Sequence, residues 1–395
     1  MVTTATPFVT EEQGMNLTSS HRGALASPLI LGALYFGFVL TGIGTTLLGC
    51  ALPALSPLWS LNDSRAGFLF ATQFAGSSCG ALLVTSRLDT SVVRGYLLIM
   101  VCGIFLSLCR GHAASLLFFG YGLGLGLAMT STSMIIGRIY STSRGSSLSL
   151  LNAAWGFGAV ICPLLVSVWI HFYAASWLFV LLSLASVTPL IALGLMQSRL
   201  ILCGDNPVTG STAHAKFSLL LPLGIFAFLY VGVESSIGGW MMTYIHRLPL
   251  SSTAFAPAAT SLFWIAILCG RTGAPAVLKQ ISESRLLTAS LSITLAGILL
   301  LIASHTSLSS LASAALIGLM LAPIFPLCIS RVLELTDRPS QSRWIFAISG
   351  LGGAVLPWMT GQFASMQASL RFGLIVPLLA SGVMLLLHLR TRPTM

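Results

Sequence analysis

The sequence predicts an all-α membrane protein with twelve transmembrane helices, arranged as two six-helix bundles related by a parallel repeat. Three observations predict it. Apolar residues make up 55% of the 395-residue chain and charged residues only 7%, with a mean hydropathy of +0.93, a balance that suits hydrocarbon and leaves only short stretches for water. Twelve apolar runs come close to the roughly 20 residues needed to cross a bilayer core. Two glycine-bearing segments of the first half recur in the second half at a single offset.

Residues 1–27 are polar, carry Glu11 and Glu12, and lead into a full-length apolar run instead of a short one with a cleavage site, so they read as a cytoplasmic tail and not a secretory signal. The predicted spans are 28–56, 66–86, 94–110, 114–137, 148–170 and 176–197 in a first bundle covering 28–197. A polar linker, 198–217, follows with Asp205, Asn206-Pro207, Gly210 and Lys216. The second bundle, 218–390, holds spans 218–245, 253–273, 285–303, 309–330, 344–365 and 371–390, and a short cytoplasmic tail, 391–395, closes the chain. An even number of spans puts both termini on one side. With the termini in the cytoplasm, fifteen of the 19 Lys and Arg residues fall inside, Arg271 counted among them, which sets the orientation by the positive-inside rule. The expectation is a multi-pass protein of a bacterial inner membrane, acting as a monomer.

The formal net charge of +10 is spread in ones to threes between apolar runs, so it reads as topology and excludes a nucleic-acid patch. The eight cysteines form no Cys-x-x-Cys and sit mostly within spans as small packing residues. The seven histidines fall in loops or at span ends. No metal site or cofactor is expected. The spans also lack a nucleophile–base pair, which argues against an enzyme.

The repeat pairs Gly156-Phe-Gly158-Ala-Val-Ile-Cys-Pro163 in span five with Gly350-Leu-Gly352-Gly-Ala-Val-Leu-Pro357 in span eleven, 194 residues on. The same offset carries Gly124 to Ala128 in span four onto Gly318 to Ala322 in span ten. Small residues at such spacing let helix backbones meet where lipid supplies no hydrophobic drive. Gly120, Gly122, Gly124 and Gly126 are read in this way, and Pro163 and Pro357 as bends. The segments after spans two and eight are alike in charge: Asp89 and Arg94 in one, Arg271, Glu283 and Arg285 in the other. Opposed charges at helix ends suit a gate whose ion pairs break and re-form.

Twelve spans, a central linker and a parallel six-plus-six repeat with charged loops after spans two and eight resemble the major facilitator superfamily. In the first charged loop Gly80, Asp89 and Arg94 match the family signature, but its spacing and second glycine are missing. Tyr230-Val-Gly-Val-Glu-Ser-Ser-Ile-Gly-Gly-Trp240 is similar to the seventh span of the fucose/glucose/galactose symporter branch. Asn152-Ala-Ala-Trp-Gly-Phe-Gly158 resembles its fifth span, and Gly352 to Trp358 its eleventh. The resemblance implies a secondary transporter working by rocking-bundle alternating access. Carboxylates that such symporters carry in spans one and four are replaced here by Thr45 and Thr46, and by Met129 beside Thr130, Ser131 and Thr132.

Glu234 is the one carboxylate deep inside an apolar run. A charge at that depth costs several kcal/mol, which makes it a functional candidate. Residues 230, 234, 237, 241 and 244 fall on one helical stripe, so Tyr230, Glu234 and Tyr244 are expected to face a central cavity. Gly238 and Gly239 are expected to interrupt that helix as a gate hinge. No basic side chain of the membrane interior is expected to reach Glu234, which is the candidate for proton coupling, the alternatives being sodium held by neutral oxygens or a uniporter. Gln73, Asn152, Trp155, Trp264, Trp358 and Gln362 are the other polar or amphipathic groups inside apolar runs. Amides and a carboxyl exchange hydrogen bonds with hydroxyls, and indoles cover C–H faces. The preferred substrate is a sugar or similar small polar solute. The second reading is an exporter of amphipathic compounds, suggested by Met129, Met134, Met241, Met242 and Phe263.

Overall fold

A computed structural model describes residues 28–108, 112–140, 143–195, 217–248, 255–335 and 339–390. The predicted tails 1–27 and 391–395 lie outside the described residues, and the linker 198–217 lies outside them except for its last residue. The first half holds α1 (Pro28–Leu58), α2 (Asp63–Leu82), α3 (Leu88–Leu108), α4 (His112–Ile139), α5 (Arg144–Trp169) and α6 (Trp177–Leu195). The second holds α7 (Phe217–His246), α8 (Phe255–Val277), α9 (Glu283–Ala303), α10 (Ser307–Leu321), α11 (Ile324–Leu335), α12 (Pro339–Met366), α13 (Leu370–Gly373) and α14 (Ile375–Arg390). Taking α10–α11 and α13–α14 as one crossing each, the chain crosses twelve times.

Side chains set several helix boundaries. The Asn62 amide oxygen accepts from Arg65 N at 2.9 Å and starts α2 before the apolar run begins. Ser282 and Thr306 cap α9 and α10 in the same way. The expected single span 309–330 is broken after Leu321, because Pro323 has no N–H to continue the helix. Asp89 and Arg94, expected in a loop, lie instead in the first two turns of α3.

Ten crossings are long and apolar enough to span a membrane by composition alone. The other two, α2 and α12, pack against each other across the two halves along most of their length: Gly67 lies against the Trp358 and Gly361 backbone, Gly353 against Phe74, and Gly350 against Ser78. Their small residues face protein instead of lipid, which lowers their mean hydropathy.

The alternating glycines of α4 serve two neighbours at once. Gly122 and Gly126 meet the backbone of Gln73 and Ser77 on α2, where Gly76 and Gly80 return the contact against Phe119 and Leu123. Gly124 and Gly120 turn the other way, to Gly95 and Cys102 on α3. The repeat shows the same economy. Gly158 lets α5 close onto the Val39 carbonyl of α1, and its counterpart Gly352 lets α12 close onto the Phe228 carbonyl of α7. The second repeated pair diverges: Gly318 packs on Phe263 of α8, while Gly124 packs on α3.

Candidate functional site

The end of the bundle away from the beginning of α1 and the finish of α14, here the distal end, is sealed between the halves. Arg247, just past α7, donates to both carboxylate oxygens of Asp63 at the start of α2, at 2.8 and 2.9 Å. Next to it, the Ser64 hydroxyl donates to the Gln362 amide oxygen at 2.9 Å. Gly49 of α1 and Gly239 of α7 approach so closely that a methyl on Gly49 would lie 2.7 Å from the Gly239 carbonyl oxygen. Trp240 completes the seal: its indole N–H donates to the Pro357 carbonyl at 3.0 Å and its ring meets Phe70 of the other half at 5.6 Å. The Asp63–Arg247 pair is partly exposed, so it contributes at most about 1 kcal/mol. Asp63→Asn is therefore expected to speed maleimide labelling of a Ser64→Cys thiol from the distal side about two- to fivefold; an unchanged rate would show that the glycine seam alone holds this end.

Farther from the distal end, α7 and α8 bring charges together. Glu234 lies with both carboxylate oxygens 3.4 Å from Arg271 Nη2, and the same nitrogen is 3.4 Å from the Tyr230 hydroxyl. The expectation that no basic group reaches Glu234 is thus overturned. Arg271, counted with the cytoplasmic loop, continues α8, and its long side chain reaches back to α7. The Tyr230 ring is fixed by stacking on Phe325, centroids 5.3 Å apart, just beyond the Pro323 break. These contacts are longer than the 2.7–2.9 Å usual for charge-assisted hydrogen bonds, and the Arg271 Nε is buried with no partner. The pair is not fully enclosed by side chains: 25% of Arg271 and 13% of Glu234 stay uncovered. The distal lock is short and bidentate; the inner pair is loose and has donor capacity to spare.

Across the seam, Trp155 of α5 meets Trp264 of α8 edge-on at 5.4 Å, and both indole N–H groups are buried without a partner. An unpaired buried donor costs about 1–3 kcal/mol, so each is a donor that the packing leaves unspent. The register of this antiparallel contact follows from Ser261 donating to the Val160 carbonyl at 2.9 Å and from Gly156 meeting Leu268. Continued one turn, it sets Asn152 level with Arg271. The lipid face of α5 is marked by exposed Leu150, Phe157, Leu164 and Val168. Asn152 is exposed on the opposite face, toward the space between the halves.

The other sequence candidates are placed elsewhere. Tyr244 donates to the Leu301 carbonyl of α9 at 2.7 Å, so its hydroxyl is committed to packing within the second half. The Gln73 amide donates to the Thr45 carbonyl at 3.0 Å and ties α2 to α1, while its buried oxygen has no partner. Gln362 belongs to the distal seam. Trp358 is 37% exposed on the α12 face that carries Leu351, turned away from both α2 and α7. Gly238 and Gly239 do not interrupt α7, which runs unbroken through them; Gly238 instead makes room for the Trp264 ring. Arg94 and Arg285 are exposed near the terminal end and Asp89 is half-buried, and no ion pair forms among these three; Glu283 pairs with Arg331 at 3.1 Å. Sequence reasoning missed the Arg271–Glu234 contact and the Asp63–Arg247 lock. The first had a signal: Arg271 already stood inside the predicted eighth span.

Residues 34–357 match the family described as Major Facilitator Superfamily. The chain belongs to this family. It is a multi-pass integral membrane transporter, and its small-molecule substrate follows from that membership. Among its relatives is the glucose/mannose transporter GlcP of Bacillus subtilis, 23% identical over 362 residues, covering 84% of this chain and 88% of that protein. The fold matches the xylose transporter XylE from E. coli, in a partially occluded inward open conformation, with a TM-score of 0.70 at 16% identity over 92% of this chain and 97% of that one. It matches equally the peptide transporter POT in complex with sulfate, with a TM-score of 0.72 at 15% identity over 97% of both chains. A xylose transporter and a peptide transporter share this one scaffold, so the fold by itself does not select a substrate.

Proposed function

We propose that this member of the superfamily moves a sugar or similar small polar solute by alternating access, with Glu234 as the proton-coupling group. The observation that carries the reading is the loose Tyr230–Glu234–Arg271 cluster, incompletely covered and level with Asn152, beside two indoles whose N–H groups are unspent. A proton arriving on Glu234 dissolves its ion pair and releases Arg271, so protonation and substrate contact draw on the same donors. Similarity to the glucose/mannose transporter GlcP supports the sugar class.

With the termini in the cytoplasm of a bacterial inner membrane, the distal end faces outward and this conformation is closed to the outside. Rocking about the seam would then exchange the Asp63–Arg247 lock for contacts at the terminal end, near Asp89, Arg94 and Arg285. Uptake by the reconstituted protein, acting as a monomer in proteoliposomes, tests the reading against a sugar panel with and without a pH gradient. Saturable uptake of a sugar or sugar derivative that responds to the gradient is the expected result. If no such solute competes and lipophilic cations do, the protein is an exporter of amphipathic compounds instead. If a sodium gradient and not a proton gradient drives uptake, the coupling ion assigned here is wrong.

A further inference from the structure

Resting on that reading, we infer that the solute is a sugar carrying one carboxylate, a uronic or aldonic acid, taken up together with one proton. The juxtaposition behind this is Arg271 set against Glu234 with much of its donor capacity unused. All three of its contacts run through Nη2 at 3.4 Å, and Nε is buried with no partner. The Nε–Nη2 edge of a guanidinium is planar and presents two parallel N–H groups, the geometry that a carboxylate takes with two bonds and a lone hydroxyl does not. Tyr230, held by its stack on Phe325, adds a hydroxyl at the same nitrogen.

Charge balance selects the anion over a neutral sugar. In the empty site Glu234 and Arg271 cancel. A proton on Glu234 with a neutral sugar bound leaves Arg271 as an uncompensated cation through the occluded state, in a part of the membrane where a lone charge is costly. An anion bound while Glu234 is ionised leaves the opposite excess. Once a proton is taken up on Glu234, as the reading above has it, only a monoanion keeps the loaded site as neutral as the empty one. The bookkeeping closes: one H+ and one carboxylate enter, Glu234 exchanges Arg271 for the proton, Arg271 exchanges Glu234 for the substrate, and no net charge crosses. The indoles of Trp155 and Trp264 and the amide of Asn152 remain for the sugar hydroxyls.

The test uses the full chain in proteoliposomes with radiolabelled D-glucuronate, D-galacturonate and D-gluconate against D-glucose and D-galactose. At least one acid is expected to accumulate tenfold or more when the lumen is alkaline, and an imposed potassium diffusion potential is expected to leave its rate unchanged. The parent sugars should compete at best weakly. Arg271→Gln should abolish acid uptake, and Arg271→Lys, which keeps the charge without the fork, should raise KM about tenfold with kcat little changed. Should Arg271→Gln fail to fold, Glu234→Gln is the second probe, expected to exchange the acid without any response to pH. Saturable glucose or galactose transport with the acids inert leaves the sugar reading standing and sinks this proposal. Acid uptake that follows the imposed potential, or that survives Arg271→Gln, sinks it too. Movement of lipophilic cations alone sinks both readings.

Discussion

Glu234→Gln is expected to abolish gradient-driven accumulation, by tenfold or more, while substrate exchange across the membrane at equal pH persists. Glutamine keeps the size and the hydrogen-bonding oxygen of the side chain but carries no titratable proton, so the link between proton and substrate is cut without removing the site. The change also leaves Arg271 without its counter-charge. Truncating one partner of a fully buried pair costs about 3–5 kcal/mol; this pair is loose, at 3.4 Å, and incompletely covered, which puts the cost below that range. The variant should therefore fold. Accumulation and counterflow measured in the same vesicles separate the effects: loss of both would mean that Glu234 is structural, and retention of accumulation would mean that protons are coupled elsewhere.

The second large effect is on stability. Gly352→Ala would place a methyl group into the Phe228 carbonyl of α7, where the obstacle is backbone and cannot swing aside. Overpacking of this kind costs about 1–3 kcal/mol, and a rigid neighbour puts the expectation at the upper end. Gly32→Ala is the matched control. It lies in α1 with nothing within 4 Å of a Cβ, and alanine in place of glycine in a helix is worth about 0.5–1 kcal/mol in the opposite direction. Thermal unfolding in detergent should show Gly352→Ala melting well below the parent protein and Gly32→Ala at or above it. Equal melting of the two would mean that α12 can slide along α7 without loss. Gly158→Ala should behave like Gly352→Ala, since it closes the equivalent contact of the first half.

Much of this architecture was legible in the sequence because its causes are local. A run of apolar residues long enough to cross the bilayer is sufficient reason for a helix there, and glycines four apart are sufficient reason for a close neighbour. The 194-residue offset located Gly158 and Gly352 as equivalent, and both close the same kind of contact. Glu234 was legible for a different reason: an acid in hydrocarbon is expensive wherever its neighbours lie. Its partner was less legible. Arg271 is three residues beyond Leu268 on another helix, and an arginine near a span end reads equally as a topological signal. Which way its long side chain points depends on where α7 stands relative to α8, and one helix's periodicity does not contain that information. Periodicity also put Tyr230, Glu234 and Tyr244 on one stripe of α7, but a stripe ten residues and more in length passes several neighbours. The end near α9 spends the Tyr244 hydroxyl on Leu301, while the other end meets Arg271.

By itself, then, the sequence determined the twelve crossings, the halves and their repeat, the small-residue seams and the isolated acid, all consequences of how each residue meets lipid. Only the tertiary structure decided that the acid is paired with Arg271, that Asp63 and Arg247 lock the distal end, and that Gly238 and Gly239 are points of close approach in an unbroken helix. Those outcomes rest on the register and rotation of one helix against another. Packing across 37 or 184 positions of sequence sets both, and a single helix, however well patterned, carries no record of them.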